Sequence, residues 1–245
     1  PNAFEDHRNP TPSVNAYPRW GTVEAGWEIN WPSWELPSIR TDLANIDLAA
    51  VVADATGYDY QMADQAYHLE LWIEKSTMND VLTPIAQAQG VNVCTSLGFQ
   101  SITSVISLLT RCEQSGKPCR ILYISDFDPA GDAMPVAVAR QIEYWAERYA
   151  PNVEIKLHPI ALTGEQVELF GLPTIPIKES DLRAKGFESR RGVSGAVELD
   201  ALEALHPGSL GKIVREAITA YRDASLARRL GHAERDARAT VQAEW

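Results

Sequence analysis

Apolar and polar residues alternate with two different periods through the middle of the chain. Short, almost continuous apolar runs indicate buried strands, and longer segments with apolar residues three and four positions apart indicate amphipathic helices. In chain order the pattern predicts strand 68–73, helix 77–88, strand 91–95, helix 102–109, strand 121–124, helix 132–149 and strand 153–157. Strands that alternate with helices pair in parallel through right-handed crossovers, so we expect an α/β fold with a Rossmann-like parallel sheet flanked by helices.

The two ends of the chain follow other patterns. Residues 1–38 are rich in proline and tryptophan, which predicts an extended arm packed on a larger body, and 39–55 predict a short helix and linker. After the last strand we expect a short helix at 164–170, and an apolar stripe predicts another helix between Leu210 and Tyr221. The expected organisation is an arm and linker over 1–66, a core over 67–162 and a mainly helical C-terminal lobe over 163–245.

Acidic residues stand where two of the predicted strands end. Glu74 follows the first strand, and Asp126 and Asp128 follow the third. In parallel sheets ligands gather beyond the carboxyl ends of the strands, where all three carboxylates fall. Carboxylate oxygens are the ligands that Mg²⁺ or Mn²⁺ prefers, so the sequence predicts a metal site here. Taken alone, Asp-x-Asp is also common where a loop caps the next helix.

The order of these motifs resembles a known family. A strand ending in Glu74-Lys75, Gly98 after the next strand, and the run Asp-Phe-Asp-Pro-Ala-Gly at 126–131 are similar to the Toprim domain of topoisomerases, bacterial primases and several nucleases. The detail is most similar to the topoisomerase VI A subunit and its meiotic double-strand-break relative, in a bacterial or phage-encoded branch. The resemblance spans about 67–162. It implies that Glu74, Asp126 and Asp128 bind magnesium and serve DNA strand cleavage or rejoining.

Basic residues are the candidates for contact with DNA. Lys75 is expected either to touch a phosphate or to lie in solvent. The stretch 183–191, which we expect to be an irregular excursion, carries the four further candidates Arg183, Lys185, Arg190 and Arg191. The net charge of −11 argues against extensive metal-free binding to DNA, because such binding depends on Lys and Arg replacing counterions.

The sequence leaves the mechanism open. In topoisomerase VI the attacking tyrosine lies in a winged-helix domain ahead of the Toprim domain, and this chain shows no counterpart. Either the protein is a metal-dependent nuclease or nickase, or a partner or missing upstream domain supplies the tyrosine for transesterification. A scaffold or DNA-binding module without catalysis is an alternative of another class. A phosphatase or phosphotransferase using Asp126 is a further rival, and Ala130 counts against it because such enzymes usually have Thr or Val there.

Composition favours an intracellular protein. No apolar run reaches the roughly 18 residues of a membrane span, and no signal-peptide pattern opens the chain. We therefore expect a cytoplasmic, nucleoid-associated protein without a membrane partner. The three cysteines, Cys94, Cys112 and Cys119, show neither paired metal spacing nor a disulfide framework, and Cys94 is expected to be a core residue.

Overall fold

A computed structural model of the 245-residue chain describes residues 13–16, 28–30, 54–56, 60–96, 100–178, 181–192 and 195–243. The strands are β1 (Glu28–Asn30), β2 (Asp54–Thr56), β3 (His68–Ile73), β4 (Asn92–Thr95), β5 (Cys119–Ile124) and β6 (Ile155–Ala161). The helices are α1 (Asn79–Ala88), α2 (Ile102–Ser115), α3 (Pro129–Tyr149), α4 (Gly164–Leu169), α5 (Ala184–Arg191), α6 (Leu199–Leu205), α7 (Ser209–Thr219) and α8 (Leu226–Ala243). Gly98, most of the predicted arm and residues 39–53 lie outside the described residues.

Four strands form one parallel sheet in the order β4-β3-β5-β6. The chain leaves β3 for one neighbour, β4, and then returns to the other side of β3 as β5. The direction of winding therefore reverses between β3 and β5. Such a reversal is a topological switch point, where the connections diverge and leave a crevice at the carboxyl edge of the sheet. The α/β class and the all-parallel sheet predicted from the sequence are confirmed.

Strands β3, β4 and β5 are buried on both faces, which explains why β3 and β5 read as almost continuous apolar runs, whereas the edge strand β6 is partly exposed. Alternate residues of each strand point to opposite sides. On one side Leu71 and Leu122 pack with apolar residues of α1 and α7. On the other side Trp72 and Tyr123 pack with apolar residues of α2 and α3. Each layer is a hydrophobic core, so the sheet edge carrying the acidic residues is held rigidly from both faces.

Several predicted boundaries are corrected by the structure. Helix α3 begins at Pro129 and not near Asp132, because a proline at the first helical position needs no N–H partner. The predicted excursion at 183–191 is the helix α5. The stripe that begins at Leu210 does form a helix, α7, which ends at Thr219 and not at Tyr221.

Contacts divide the chain into two compact units. One comprises the described residues within 1–22 and 62–222, and it contains the four-stranded sheet together with α1 to α7. The other comprises the described residues within 23–61 and 223–245, and in it β1 pairs antiparallel with β2, which contacts α8. Among the described helices, none has both the length and the apolar character needed to cross a bilayer.

Candidate metal centre

Register within the sheet brings the predicted acidic residues to one edge. Strands β3 and β5 pair with Ile73 opposite Ile124, and the backbone N–H of Glu74 donates to the carbonyl of Ile124 at 3.2 Å. The backbone N–H of Asp126 also lies close to the carboxylate of Glu74 and lowers its pKa slightly. Glu74 and Asp126 therefore follow adjacent strands directly at the switch point, and Asp128 lies one turn further on.

Glu74 is half-buried and incompletely paired. Its Oε2 atom is buried, and no hydrogen-bond partner for it occurs among the described residues. Burial, and then the negative charges of Asp126 and Asp128, raise the pKa of Glu74 to about 7, although Lys75 opposes the shift. A carboxylate held in this way is stabilised by any cation placed beside it. An unpartnered buried oxygen of this kind is able to act as a ligand to a cation.

The two aspartates are fixed by backbone hydrogen bonds. Asp126 is buried, and its Oδ1 accepts from the N–H of Leu199 at 2.7 Å. Burial raises the pKa of Asp126 above its usual value even though Leu199 and Lys75 oppose the shift. Asp128 caps α3, because its Oδ1 accepts from the N–H of Gly131 at 2.6 Å. The capping reading of Asp-x-Asp is thus correct for one oxygen of Asp128, which leaves Oδ2 for another partner.

Glycine is required at position 131 because the backbone of α3 approaches the backbone of Asp126 closely there, and not because the chain turns. It lies inside the first turn of α3, directly over the strand end. A Cβ atom at this position would overlap the backbone oxygen of Asp126 and lie 3.2 Å from the Cβ of Ser125. The helix can therefore sit on the acidic loop only if this residue has no side chain.

Lys75 is the cation that the structure places among these acids. Its Nζ lies 3.0 Å from Oδ2 of Asp126, 3.5 Å from Oε2 of Glu198 and 3.9 Å from Oδ2 of Asp200. Burial alone would lower the pKa of Lys75, but these carboxylates outweigh it and raise the pKa above its usual value. Lys75 is thus partly exposed and paired with carboxylates.

Glu198 and Asp200 were not anticipated as site residues. They arrive because Phe127 and Val197 form an antiparallel bridge, which lays the segment leading into α6 against the acidic loop. The sequence carries a weak local signal for them, since two acids flank the start of a helix in Glu-Leu-Asp. Nothing local indicates that they share a lysine with Asp126.

The carboxylate oxygens of Glu74, Asp126 and Asp128 do not all lie within 4.8 Å of one another in the described structure. Among the described residues, one set of three metal-ligating side chains has all its ligand atoms within 4.8 Å of one another, and it is His68, Cys112 and Cys119. The three carboxylates do not form such a set, and Lys75 holds the outer oxygen of Asp126. Hard oxygen donors with an orphaned, buried Oε2 at Glu74 fit a Mg²⁺ or Mn²⁺ ion in chemistry, provided that Lys75 releases Asp126.

The predicted basic residues are largely neutralised by acids. Arg190 donates to Oδ2 of Asp132 at 2.7 Å, and Arg191 donates to Oδ1 at 2.9 Å. Burial alone would raise the pKa of Asp132, but the two arginines outweigh it and lower the pKa. Arg183 forms a two-point pair with Asp181. Arg190 and Arg191 share the single carboxylate of Asp132, so one positive charge remains for a ligand at the start of α3.

Two clefts flank this part of the molecule. One has a volume of about 280 Å³ and is lined by Asp126 and Asp128 together with Lys178 and Asp181. A broader one of about 840 Å³ runs along α3 and is lined by arginines. They are Arg140, Arg183, Arg190 and Arg191. Lys185 lines a separate cleft with Lys178. The predicted basic residues thus lie near the acidic loop, but they do not converge on one point.

Comparison with protein-family models found no match, and comparison with curated proteins found none either.

Proposed function

We propose that this protein is a Toprim-type domain, similar to that of the topoisomerase VI A subunit, that binds Mg²⁺ or Mn²⁺ and cleaves or handles DNA strands. The ligands would be Glu74, Asp126 and Asp128. The observation that carries the proposal is the buried Oε2 of Glu74, which has no partner among the described residues and lies at a switch point beside two aspartates. A divalent cation satisfies that oxygen and relieves the repulsion among the carboxylates.

The chain's own residues supply the remaining functions. A bound magnesium ion would neutralise charge that builds on a phosphodiester during strand cleavage. Lys75 would leave Asp126 for Glu198 and Asp200, which already lie within 4 Å of its ammonium, and there it would contact a phosphate of the strand. Arg183, Lys185, Arg190 and Arg191 would bind phosphates further along, through the clefts beside α3 and α5.

Two mechanisms are compatible with this site. In a nuclease or nickase a water molecule attacks the phosphate. In a transesterase a tyrosine attacks, and it must come from a partner or from another domain. Tyr123 does not serve, because it is fully buried in the sheet and burial raises the pKa of its hydroxyl well above the usual value. Either mechanism places the protein in the cytoplasm, at the nucleoid or at other intracellular DNA.

A metal titration tests the proposal. Calorimetry should show one Mg²⁺ or Mn²⁺ bound per chain, with binding weakened at least tenfold in Glu74→Gln and Asp126→Asn. Glu147→Gln is the matched control, because Glu147 is an exposed acid at the far end of α3. The proposal fails if the protein binds no ion or if the control loses as much affinity as the site variants.

A cleavage assay then separates the two mechanisms. Supercoiled plasmid is incubated with protein and Mn²⁺, and the reaction is stopped with denaturant. Nicked or linear DNA with free ends indicates hydrolysis, whereas protein covalently attached to DNA indicates a tyrosine. Adding a candidate tyrosine-bearing partner should convert an inactive preparation into one that forms the adduct.

A scaffold or DNA-binding module without catalysis is the second candidate. The position of Lys75 favours it, because its ammonium already pairs with Asp126 and lies within 4 Å of Glu198 and Asp200 without a metal. In that case Mg²⁺ would bind no more tightly to the wild type than to Asp126→Asn. A phosphotransferase with Asp126 as nucleophile is disfavoured, because Ala130 stands where such enzymes usually have Thr or Val.

A further inference from the structure

A second cluster of ligating side chains lies at the opposite edge of the sheet. His68 begins β3, Cys119 begins β5, and the two are direct partners in the sheet register. Cys112, near the end of α2, packs on them. One ligand atom from each residue lies within 4.8 Å of the other two, and all three residues are buried. This set is not visible in the sequence, because strand pairing, and not a regular spacing along the chain, brings its three residues together.

His68 is held by a carboxylate in the manner of metal-binding histidines. Its Nε2 lies 3.0 Å from Oε1 of Glu70. Arg111 donates to both oxygens of Glu70, at 2.6 and 2.8 Å, and Trp72 donates to Oε2 at 2.8 Å. The guanidinium of Arg111 and the indole N–H of Trp72 can only donate, so Glu70 accepts from both as a carboxylate. The hydrogen bond from His68 to Glu70 then uses a proton on Nε2, and a metal ion would bind Nδ1.

The charges of this region balance when a divalent ion is added. Glu70 and Arg111 cancel each other. A cysteine thiol carries no charge, whereas a cysteine bound to a metal is a thiolate with one negative charge. Two thiolates formed on metal binding would carry two negative charges, which a divalent cation cancels while two protons leave to solvent. The buried site thus gains no net charge.

We infer that His68, Cys112 and Cys119 form a site for a soft, closed-shell metal ion, with Zn²⁺ as the ion that fits them. Thiolate and imidazole donors select such ions over Mg²⁺, and three protein ligands leave one tetrahedral position for a further donor. The site is separate from the carboxylates, because the six residues of β3 at about 3.3 Å each put roughly 20 Å between the two edges. It does not depend on the proposed DNA chemistry.

A small cavity of about 10 Å³ lies at the same edge. His68 lines this cavity together with Ser115 and Lys117, which follow Cys112 in the chain. A bound ion would tie together β3, α2 and β5, three elements that the sheet and the second core layer also join. Because the ion binds the folded state, metal uptake should stabilise the fold without changing magnesium binding at Glu74 and Asp126.

Metal substitution in the full, reduced chain tests the inference. We expect one Zn²⁺ per chain by competition with a chromophoric chelator, and a thiolate-to-cobalt charge-transfer band when Co²⁺ is added instead. Cys112→Ser and Cys119→Ser should lose the band and bind Zn²⁺ at least 100-fold more weakly. Cys94→Ser is the matched control, because Cys94 is a buried strand cysteine outside the cluster, and it should keep both signals.

Three results would contradict a zinc site at His68, Cys112 and Cys119. It is overturned if the reduced wild-type protein takes up no Zn²⁺, if Cys94→Ser removes the band as fully as Cys112→Ser, or if Cys112 and Cys119 are found only as a disulfide that no reductant converts to a metal-binding form. Should the serine variants fail to fold, His68→Gln, which keeps all three thiols, must still weaken Zn²⁺ at least tenfold. Asp126→Asn must leave Zn²⁺ binding unchanged, which separates this result from the magnesium proposal.

Discussion

Replacing Glu74 with glutamine should stabilise the metal-free protein at neutral and alkaline pH. Burial and two neighbouring aspartates raise the pKa of Glu74 from 4.5 to about 7. Between these values the unfolded chain releases the proton while the folded chain keeps it, so the wild-type stability falls as the pH rises from about 4.5 to about 7 and is constant above that. Glutamine has no proton to lose, so it removes this loss.

The size of the effect follows from the same values. A rise in pKa from 4.5 to about 7 corresponds to at most about 3.4 kcal/mol, at 1.36 kcal/mol for each tenfold change in proton affinity. Glu74 is partly exposed, and screening by solvent lowers the expected gain to about 1–2 kcal/mol. Relative to the wild type, Glu74→Gln should show this gain at pH 8 and almost none at pH 4.5.

Urea unfolding in EDTA measures this difference directly. Wild type, Glu74→Gln and the control Glu147→Gln are unfolded at pH 4.5, 6 and 8, and the free energies of unfolding are compared at each pH. A difference that does not change with pH would refute the electrostatic reasoning, as would a Glu74→Gln protein less stable than wild type at pH 8. The same variant is expected to bind Mg²⁺ more weakly. Glu74 would therefore lower the stability of the metal-free protein while raising its affinity for the ion.

Three further variants test other parts of the structure. Gly131→Ala should lower the free energy of unfolding by about 3 kcal/mol or more in urea titrations, because its methyl group overlaps the backbone oxygen of Asp126. Arg111→Met should cost about 3–5 kcal/mol in thermal or urea unfolding, since it leaves the buried carboxylate of Glu70 without its charge partner. Lys75→Met should tighten Mg²⁺ binding in calorimetry about 3- to 10-fold, because the ion no longer competes with the ammonium for Asp126.

Matched controls separate these effects from general damage. Gly186→Ala places a methyl group 3.1 Å from the flexible end of Arg190, so it should change stability by less than about 1 kcal/mol. Arg183→Met removes an exposed pair with Asp181 and should cost no more than about 1 kcal/mol. Lys185→Met should leave Mg²⁺ affinity unchanged. If Gly131→Ala is as stable as the wild type, the close approach of α3 to the acidic loop is wrong.

The strands of the sheet were predicted well because a strand buried on both faces has a simple sequence pattern. A parallel strand covered on both sides is a short apolar run, and its end is the point where charge appears, as at Glu74 and Asp126. The α5 helix was missed for the opposite reason. Phe187 is its one buried residue among mostly polar neighbours, so the segment has almost no apolar periodicity.

The parts of the site that come from distant segments left no local pattern. Glu198 reaches Lys75 only because Val197 bridges to Phe127, and no spacing in the sequence encodes that pairing. The start of α3 was misplaced because proline can end a strand or open a helix, and the capping oxygen of Asp128 decides between the two. Tertiary contacts, and not local propensity, determine both features.

The bridge between Phe127 and Val197 makes the segment 195–200 a latch on the acidic loop. If that latch opens, Asp126 loses the N–H of Leu199 and Lys75 loses Glu198 in the same movement. Opening would therefore remove one hydrogen-bond donor from Asp126 and would also take the carboxylate of Glu198 away from Lys75, whose ammonium would have fewer competitors to Asp126. The position of this one segment thus sets how tightly Lys75 holds the carboxylate at which a cation would bind.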